Sequence, residues 1–260
     1  MLRVVRSGRV FGVLVALLLA MGLLSGCVLV GSGRIESRDY DLEGFEGLNA
    51  SHGFRVQVSQ GDEYAVRVTS DDNILDRVVV RLDGDVLILA LPSGTMTTSR
   101  LEAEVTMPAI REVVASGGSR VNLSGFSEEQ DAFRGDVSGG GRIEGEIHAE
   151  AIDLSASGGG RLEGDVFAET IAVSLSGGSQ AELDGSGGRL TLSISGGGTG
   201  ALEELIVESA DVNLSGGSQA TVNATDSLDA TASGGSTLRY IGDPEIGRED
   251  ASGGSAIRPD

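Results

Sequence analysis

The sequence is poor in the residue types from which most catalytic and metal sites are built. It has no tryptophan, a single cysteine, Cys27, and two histidines, His52 and His148, that lie far apart in the chain. No cluster of histidine and cysteine has metal-site spacing, and no serine, histidine and aspartate form an arrangement typical of hydrolases. These shortages favour a protein that is not an enzyme and that uses no cofactor or metal.

Lysine is absent as well, so all 19 basic side chains are arginines, against 39 acidic ones. The formal net charge is −20 at pH 7. So acidic a surface repels polyanions. The charge therefore argues against nucleic acid or an anionic membrane surface as a partner.

The first 27 residues have a different character. They contain arginine but no acid, and an apolar run spans residues 10–24, which is shorter than the roughly 20 residues of a comfortable membrane span. The run ends in Leu24-Ser25-Gly26-Cys27, which resembles the lipobox of bacterial lipoproteins. That resemblance implies cleavage before Cys27 and acylation of its thiol, with palmitate as one of the chains.

These features predict a signal peptide over 1–26, a lipidated Cys27 and a short tether over 27–33. A membrane is then a partner through the lipid anchor, since several acyl chains give stable attachment. The predicted location is the cell envelope outside the cytoplasm: the outer membrane if the organism has one, otherwise the outer face of the plasma membrane.

From 34 to 115, short β-branched segments alternate with turn residues. The clearest segments are Phe54–Val58, Tyr64–Val68, Arg77–Leu82 and Val86–Leu91, and they are separated by glycine and aspartate. A period of two with such breaks is typical of strands and turns. We expect this region to form the first, less regular coils of the same fold as the rest of the chain.

From 116 to 258 the chain repeats itself. Ser-Gly-Gly followed by Ser or Gly begins at 116, 138, 157, 176, 195, 215, 233 and 252, so the intervals cluster around 19 residues. Apolar residues between these turns keep their places; those of one repeat are Ile143, Ile147, Ala149, Ile152, Leu154 and Ala156. Self-similarity at this period indicates a solenoid, and a left-handed hexapeptide helix would need a period of 18. We predict an all-β protein with one single-stranded, right-handed parallel β-helix over 34–258.

The glycines have two functional interpretations, and neither fits. A phosphate-binding loop needs a lysine and a following helix, and both are missing, so no nucleotide is expected as a ligand. Calcium-binding nonapeptide repeats have a period of nine and an aspartate after the glycines, whereas this period is twice as long. Tight corners, at which small residues allow coils to stack closely, explain the glycines better.

Charged residues recur between the inward positions. Arg142, Arg161 and Gln180 occupy one position of successive repeats; the acidic residues at the next two positions are Glu144, Glu146, Glu163, Asp165, Glu182 and Asp184. Stacked coils would align them in columns about 4.8 Å apart. Such an acidic strip has three interpretations: a solvated face that keeps the protein soluble, a divalent-cation site, or paired carboxylates as in glycosidases.

The repeat and several shorter stretches resemble the autotransporter adhesin head GIN domain family, whose proposed role is adhesion. The matching stretches are Val113–Ser119, read as VVASGGS, Gly44–Leu48, Phe54–Val58 with Gly61, and Asp71–Leu75. The resemblance extends over about 34–258. It implies a right-handed parallel β-helix without recognised catalytic residues, so it assigns no functional residue to this chain.

Three functions remain open from the sequence. The leading one is non-catalytic adhesion through an extended surface, with a glycan or an envelope protein as ligand. The second is a polysaccharide-active enzyme similar to pectin lyases, which needs aspartate and arginine clustered on an outer face; the scarcity of aromatic residues argues against extensive sugar stacking. The third is a structural protein that assembles end to end through exposed terminal coils.

Overall fold

The computed structural model describes residues 29–92, 94, 96–97, 100–128 and 130–260, so the predicted signal peptide and Cys27 lie outside the described residues. Nearly all regular structure is β. The strands are β1 Leu29–Val30, β2 Ile35–Tyr40, β3 Gly47–Ala50, β4 Arg55–Gln60, β5 Ala65–Asp71, β6 Val79–Asp83, β7 Val86–Ala90, β8 Met96–Thr97, β9 Leu101–Met107, β10 Glu112–Ala115, β11 Arg120–Ser124, β12 Gln130–Val137, β13 Arg142–Gly145, β14 Ile147–Ala156, β15 Arg161–Gly177, β16 Gln180–Gly196, β17 Thr199–Leu214, β18 Gln219–Ala232, β19 Thr237–Ile241, β20 Glu245–Ala251 and β21 Ala256–Pro259. One helical turn, α1, spans Asp72–Leu75. No helix in the described part of the chain is long and apolar enough to cross a membrane.

From β10 onward the strands form the predicted β-helix. Each strand pairs in parallel with the strand one coil further on, as in β15 with β16, where Arg161 opposes Gln180 and Gly177 opposes Gly196. This offset of 19 is the period of the sequence repeat. The prediction of an all-β parallel solenoid with coils of about 19 residues is therefore confirmed.

The interior is a continuous column of aliphatic side chains. All six inward residues of the repeat at 143–156 are buried, at 5% exposure or less. In the next coil Ala168 alone is only partly buried, while its five companions are in the core. Aromatic residues are few but not excluded from the core, since Phe45, Phe54 and Phe126 are fully buried. Alternation along each strand thus separates the core from the outer faces.

The Ser-Gly-Gly sequences form one corner, at which glycines of successive coils lie on top of one another. A Cβ on Gly177 would lie 3.1 Å from the carbonyl oxygen of Gly158, and one on Gly216 would lie 2.6 Å from that of Gly196. Gly216 also has a φ of +88°, which costs a residue with a side chain free energy. The corner therefore favours glycine for two independent reasons, conformation and close stacking.

The residue after the two glycines points into the core of the corner. It is a serine in five corners, and four of these serines are buried: Ser119, Ser179, Ser218 and Ser236; Ser255, in the last corner, is only partly buried. The Ser119 Oγ accepts hydrogen bonds from the backbone N–H of Gly53 at 3.1 Å and of Phe54 at 3.2 Å. Such side chains satisfy backbone groups that the tight corner leaves without partners.

The first corner lacks the repeat sequence. Ser51-His52-Gly53 stacks on Ser116-Gly117-Gly118, because β3 pairs with β10 and β4 pairs with β11. His52 has a φ of 65° and is the only non-glycine residue in the described ranges with a positive φ. It therefore takes the place of a corner glycine, which the Ser-Gly-Gly pattern does not predict.

The region 34–115 departs from simple coiling. β7 and β9 pair with β3 and β4 on the side opposite β10 and β11, so the earlier coil lies between two later ones. Three pairings are antiparallel, β2–β5, β5–β9 and β6–β7. The two-residue loop of Gly84 and Asp85 favours a hairpin between β6 and β7. This region thus caps one end of the β-helix, a feature that the prediction of less regular coils did not include.

The described part of the predicted tether is fixed to this cap. β1 pairs with β8, the Gly33 N–H donates to Asp71 Oδ1 at 2.7 Å, and the Ser32 N–H donates to Asn73 Oδ1 at 2.9 Å. Asn73 Nδ2 donates in turn to the carbonyl oxygen of Val30 at 2.9 Å. Residues 29–33 therefore belong to the folded body, and the chain enters it at the capped end.

Candidate functional site

The structure aligns most of the predicted acidic strip as expected. Parallel pairing places Glu144 beside Glu163 and Glu163 beside Glu182, and it places Asp165 beside Asp184. The column of Glu144, Glu163 and Glu182 ends in the next coil, where Ala201 follows Glu182; the pairing shifts directly after this position, so Asp184 has no partner in register. Glu146 lies between β13 and β14, and its Oε1 lies 2.9 Å from His148 Nε2, within hydrogen-bonding distance.

Arginine is part of the strip. The Arg142 guanidinium contacts Glu163 and also lies 3.2 Å from Glu144, so it bridges carboxylates of two coils. Within the described ranges, no three side chains among His, Cys, Asp and Glu lie close enough together to hold a metal ion. The use of the strip for cations stays a prediction, and its described contacts are those of an ion-paired outer face.

The outer face before the corner carries a column of small polar residues. Ser155, Ser174 and Ser193 oppose one another in three successive coils. Asp136, one coil before Ser155, accepts hydrogen bonds from that serine and from Arg134 at 2.8 Å. Partial burial raises the pKa of Asp136, but the hydrogen bonds from Arg134 and Ser155 lower it by more, so its pKa lies below its ordinary value. The carboxylate is therefore charged at neutral pH.

A third surface feature is an open groove on another side of the β-helix. It has a volume of ≈ 1050 Å³. We call it the flank groove and define it by six of its lining residues: His148, Phe167, Ser186, Arg189, Ile206 and Glu208. It contains one of the few well-exposed large apolar side chains, because Ile206 is 51% exposed.

The groove results from a missing side chain in a stacked column. Parallel pairing places His148, Phe167, Ser186 and Ile206 in one column, one residue per coil. The rings of His148 and Phe167 stack with centroids 4.4 Å apart and an interplanar angle of 31°. At the next coil the column continues with the small Ser186, flanked by Gly187. A gap therefore opens between Phe167 and Ile206.

A β-bulge shapes the far wall of the groove. The pairing of β16 with β17 shifts by one residue between Glu182 and Gly185, and the pairing of β17 with β18 shifts again after Leu202. Bulges re-aim side chains and recur next to functional sites. The bulged coil is the one that presents Ile206 and Glu208.

The position of His148 between the inward Ile147 and Ala149 predicts an outward surface residue, and no sequence pattern assigns a function to Phe167, Ser186 or Ile206. His148 does lie on the outer face, but its side chain is only 28% exposed because it packs on Phe167. The sequence does contain a signal for the groove. Ser186-Gly187-Gly188-Arg189 contains a Ser-Gly-Gly that lies between two corners and does not follow their spacing of about 19 residues. An out-of-register glycine pair removes side chains from a strand instead of forming a corner.

Residues 44–244 match a family described as "putative auto-transporter adhesin, head GIN domain". The chain belongs to this family. The match covers more than half of the chain and includes most of the cap, all Ser-Gly-Gly corners but the last, and the flank groove. It confirms the resemblance drawn from the repeated corners.

Solved structures share the fold at low sequence identity. A "putative lipid binding protein" from Parabacteroides distasonis has a TM-score of 0.83 at 18% identity, over 89% of this chain and 99% of its own. A "putative adhesin" from Parabacteroides merdae has a TM-score of 0.84 at 17% identity, over 89% of this chain and 98% of its own. At such identity the likeness establishes the fold alone. No protein of curated function matches the chain.

Proposed function

We propose that this protein is a non-catalytic binding protein of the cell envelope, held to a membrane by a lipid on Cys27, that adheres to a glycan or an envelope protein. The observation that carries the proposal is the match of 44–244 to a family described as adhesin heads. The solved structures of the same fold are described as an adhesin and a lipid binding protein. These descriptions support a binding role over catalysis.

The surface supports the same role. One outer face presents the same side chain from coil to coil, namely the serines at 155, 174 and 193. A rigid surface with this repeat matches partners that are themselves repetitive, and a rigid scaffold reduces the entropy lost on binding. Polysaccharides and envelope proteins are partners of this kind.

The charged groups also favour binding over chemistry. Arg142 is paired with Glu144 and Glu163 on the acidic strip. Arg134 is likewise paired with Asp136, at 2.8 Å. An acid or base for glycoside cleavage would need a perturbed carboxyl that remains available to the substrate.

The test compares cells that produce the wild-type protein with cells that produce Cys27→Ala, and it uses Ser7→Ala, outside the lipobox, as the matched control. We expect the wild-type and Ser7→Ala proteins in the membrane fraction and Cys27→Ala in the soluble fraction. We expect cells with the anchored protein to attach to surfaces coated with glycans, matrix proteins or bacterial envelope better than cells without it.

Two results would overturn separate parts of the proposal. Equal attachment by cells with and without the protein on every surface would contradict adhesion. Membrane retention of Cys27→Ala would contradict the lipid anchor and leave adhesion in place.

A further inference from the structure

We infer that the flank groove binds one ring of a neutral saccharide in the gap at Ser186, between Phe167 and Ile206. The inference rests on the proposed function and names the class of ligand that one of its surfaces takes. It starts from the column of side chains that the parallel coils place in register: His148, Phe167, Ser186 and Ile206.

The gap has the thickness of one ring. Phe167 and Ile206 are two coils apart, which corresponds to about 9.6 Å at the usual strand spacing of roughly 4.8 Å. The neighbouring rings of His148 and Phe167 stack at 4.4 Å, so the column already accepts one ring per coil. A ligand ring at the level of Ser186 would continue this stack, with Phe167 on one side and Ile206 on the other.

The floor of the gap carries little side-chain bulk, because Ser186 is small and Gly187 and Gly188 have no side chains. Gly187 opposes Ala168 in one neighbouring coil and Val207 in the other. A Cβ on Gly187 would lie 2.7 Å from Ile171 Cδ1 and 3.0 Å from the carbonyl oxygen of Ala168. Glycine at 187 therefore lets the core close beneath the groove, and the depth of the gap itself comes from the small side chain of Ser186.

The edges of the groove are polar and mixed in charge. Glu169 and Glu208 are exposed and lie one coil to either side of Gly188, and Arg189 is exposed beside them. Carboxylates accept hydrogen bonds from the hydroxyl groups of a sugar, and a guanidinium donates hydrogen bonds to the hydroxyl oxygens. A pyranose ring combines apolar faces with hydroxyl groups around its edge, so it matches apolar walls with polar edges.

The negative charge of the groove and of the whole chain favours neutral saccharides over anionic ones. The groove carries two carboxylates against one guanidinium, and the whole chain has a net charge of −20. Uronic acids and phosphorylated glycans would be repelled. A neutral sugar is not repelled by the negative charge, and its hydroxyl groups can still form hydrogen bonds with the carboxylates and the guanidinium of the groove.

The test measures binding of cellohexaose, maltohexaose, laminarihexaose and chitohexaose to the purified protein by saturation-transfer NMR and calorimetry. Hexagalacturonate is the anionic comparison. Ser186→Phe fills the gap, and Phe167→Leu removes the stacking ring but keeps an apolar wall. Thr199→Phe, at an exposed position in the strand that follows the corner, is the matched control for an added ring.

We expect at least one neutral hexasaccharide to bind, with saturation transferred to ring protons. Ser186→Phe should weaken binding by at least about tenfold, because it occupies the gap. Phe167→Leu should weaken it by about three- to tenfold, because stacking is lost. Thr199→Phe should leave the affinity unchanged, and circular dichroism should show the same fold and no loss of thermal stability in Ser186→Phe.

The inference is overturned if no neutral hexasaccharide binds, if binding survives Ser186→Phe with the fold intact, or if hexagalacturonate binds more tightly. If Ser186→Phe does not fold, Phe167→Leu is the deciding variant. Weaker binding by Phe167→Leu would support the inference, and unchanged binding would overturn it. Cell attachment that is the same for wild type and Ser186→Phe would reject this groove as the adhesive site. It would leave the proposed adhesion itself intact.

Discussion

Replacement of Gly216 by alanine tests whether the corners hold the coils together by close stacking. A methyl group at Gly216 would lie 2.6 Å from the carbonyl oxygen, 2.9 Å from the nitrogen and 3.0 Å from the Cα of Gly196. All three atoms belong to the backbone of the adjacent coil, so no side chain can rotate away. The coils must move apart, or the corner must change its path.

Two nearby glycines separate the contributions. Gly235 has a φ of +86° with open space around its Cβ position, whereas Gly217 lacks a positive φ and would place its Cβ at an ordinary 3.8 Å from Gly196. Gly235→Ala should lose only the conformational free energy, about 1–2 kcal/mol. Gly216→Ala should add an overpacking cost of about 1–3 kcal/mol, for a total of roughly 2–5 kcal/mol. Gly217→Ala should be neutral or stabilising by about 0.4–1 kcal/mol, through the unfolded chain.

The free energy of unfolding is measured by urea denaturation, followed by far-ultraviolet circular dichroism. The order of stability expected is Gly217→Ala above Gly235→Ala above Gly216→Ala. Equal losses for Gly216→Ala and Gly235→Ala would show that stacking contributes nothing beyond conformation. A loss for Gly217→Ala as large as that for Gly216→Ala would refute the reasoning altogether.

Three further predictions concern polar groups. Ser119→Ala should destabilise the fold by about 1–3 kcal/mol in urea denaturation, because two backbone N–H groups of the first corner lose their acceptor; exposed Ser195→Ala should change it by less than about 0.5 kcal/mol. Asp136 has a lowered pKa, so its stabilising contribution is present above the ordinary carboxyl pKa of about 3.9 and is lost as the pH falls through the folded pKa. Wild type should therefore melt at a higher temperature than Asp136→Asn, by an amount that is constant above about pH 4 and becomes smaller below it. A difference that stays constant below about pH 4 as well would contradict the lowered pKa of Asp136. Since Arg142 already bridges two carboxylates of the acidic strip, Ca²⁺ should raise the melting temperature no more than Na⁺ at equal ionic strength, and a larger rise would establish a cation site.

The solenoid could be predicted because the repeat reflects two constraints that act at every coil. Glycine recurs where backbones of adjacent coils approach each other, as at Gly216, and aliphatic residues recur where the strand faces the core, as at Leu192. Both constraints depend on residue size and period alone. They are therefore visible without knowledge of which strand pairs with which.

The cap could not be predicted in the same way. The placement of β3 between β7 and β10 depends on pairing between strands that are distant in sequence. The alternation of apolar and polar residues along a strand does not show which of these strands is its partner. His52 hides the first corner for a related reason. Its positive φ is similar to that of Gly117, the corner glycine stacked on it at φ +58°, but a single histidine does not carry the Ser-Gly-Gly pattern that marks the other corners.

The flank groove could not be predicted from the sequence, because it forms where small residues interrupt a column of large side chains. Only the pairing register shows that Ser186 interrupts a column that includes Phe167 and Ile206. The acidic strip, in contrast, was visible as a repeated pattern of charge. Its contacts with Arg142 could not be assigned from that pattern, because they depend on side-chain conformation across coils.

The central claim is that the protein binds a ligand without changing it. It is tested most directly by retention of the purified protein on an array of neutral and anionic glycans, matrix proteins and envelope fractions, with the mass of each retained ligand determined afterwards. We expect saturable retention on at least one ligand, and we expect that ligand to be recovered at its original mass. Retention on none of them, or recovery of a cleaved ligand, would contradict it.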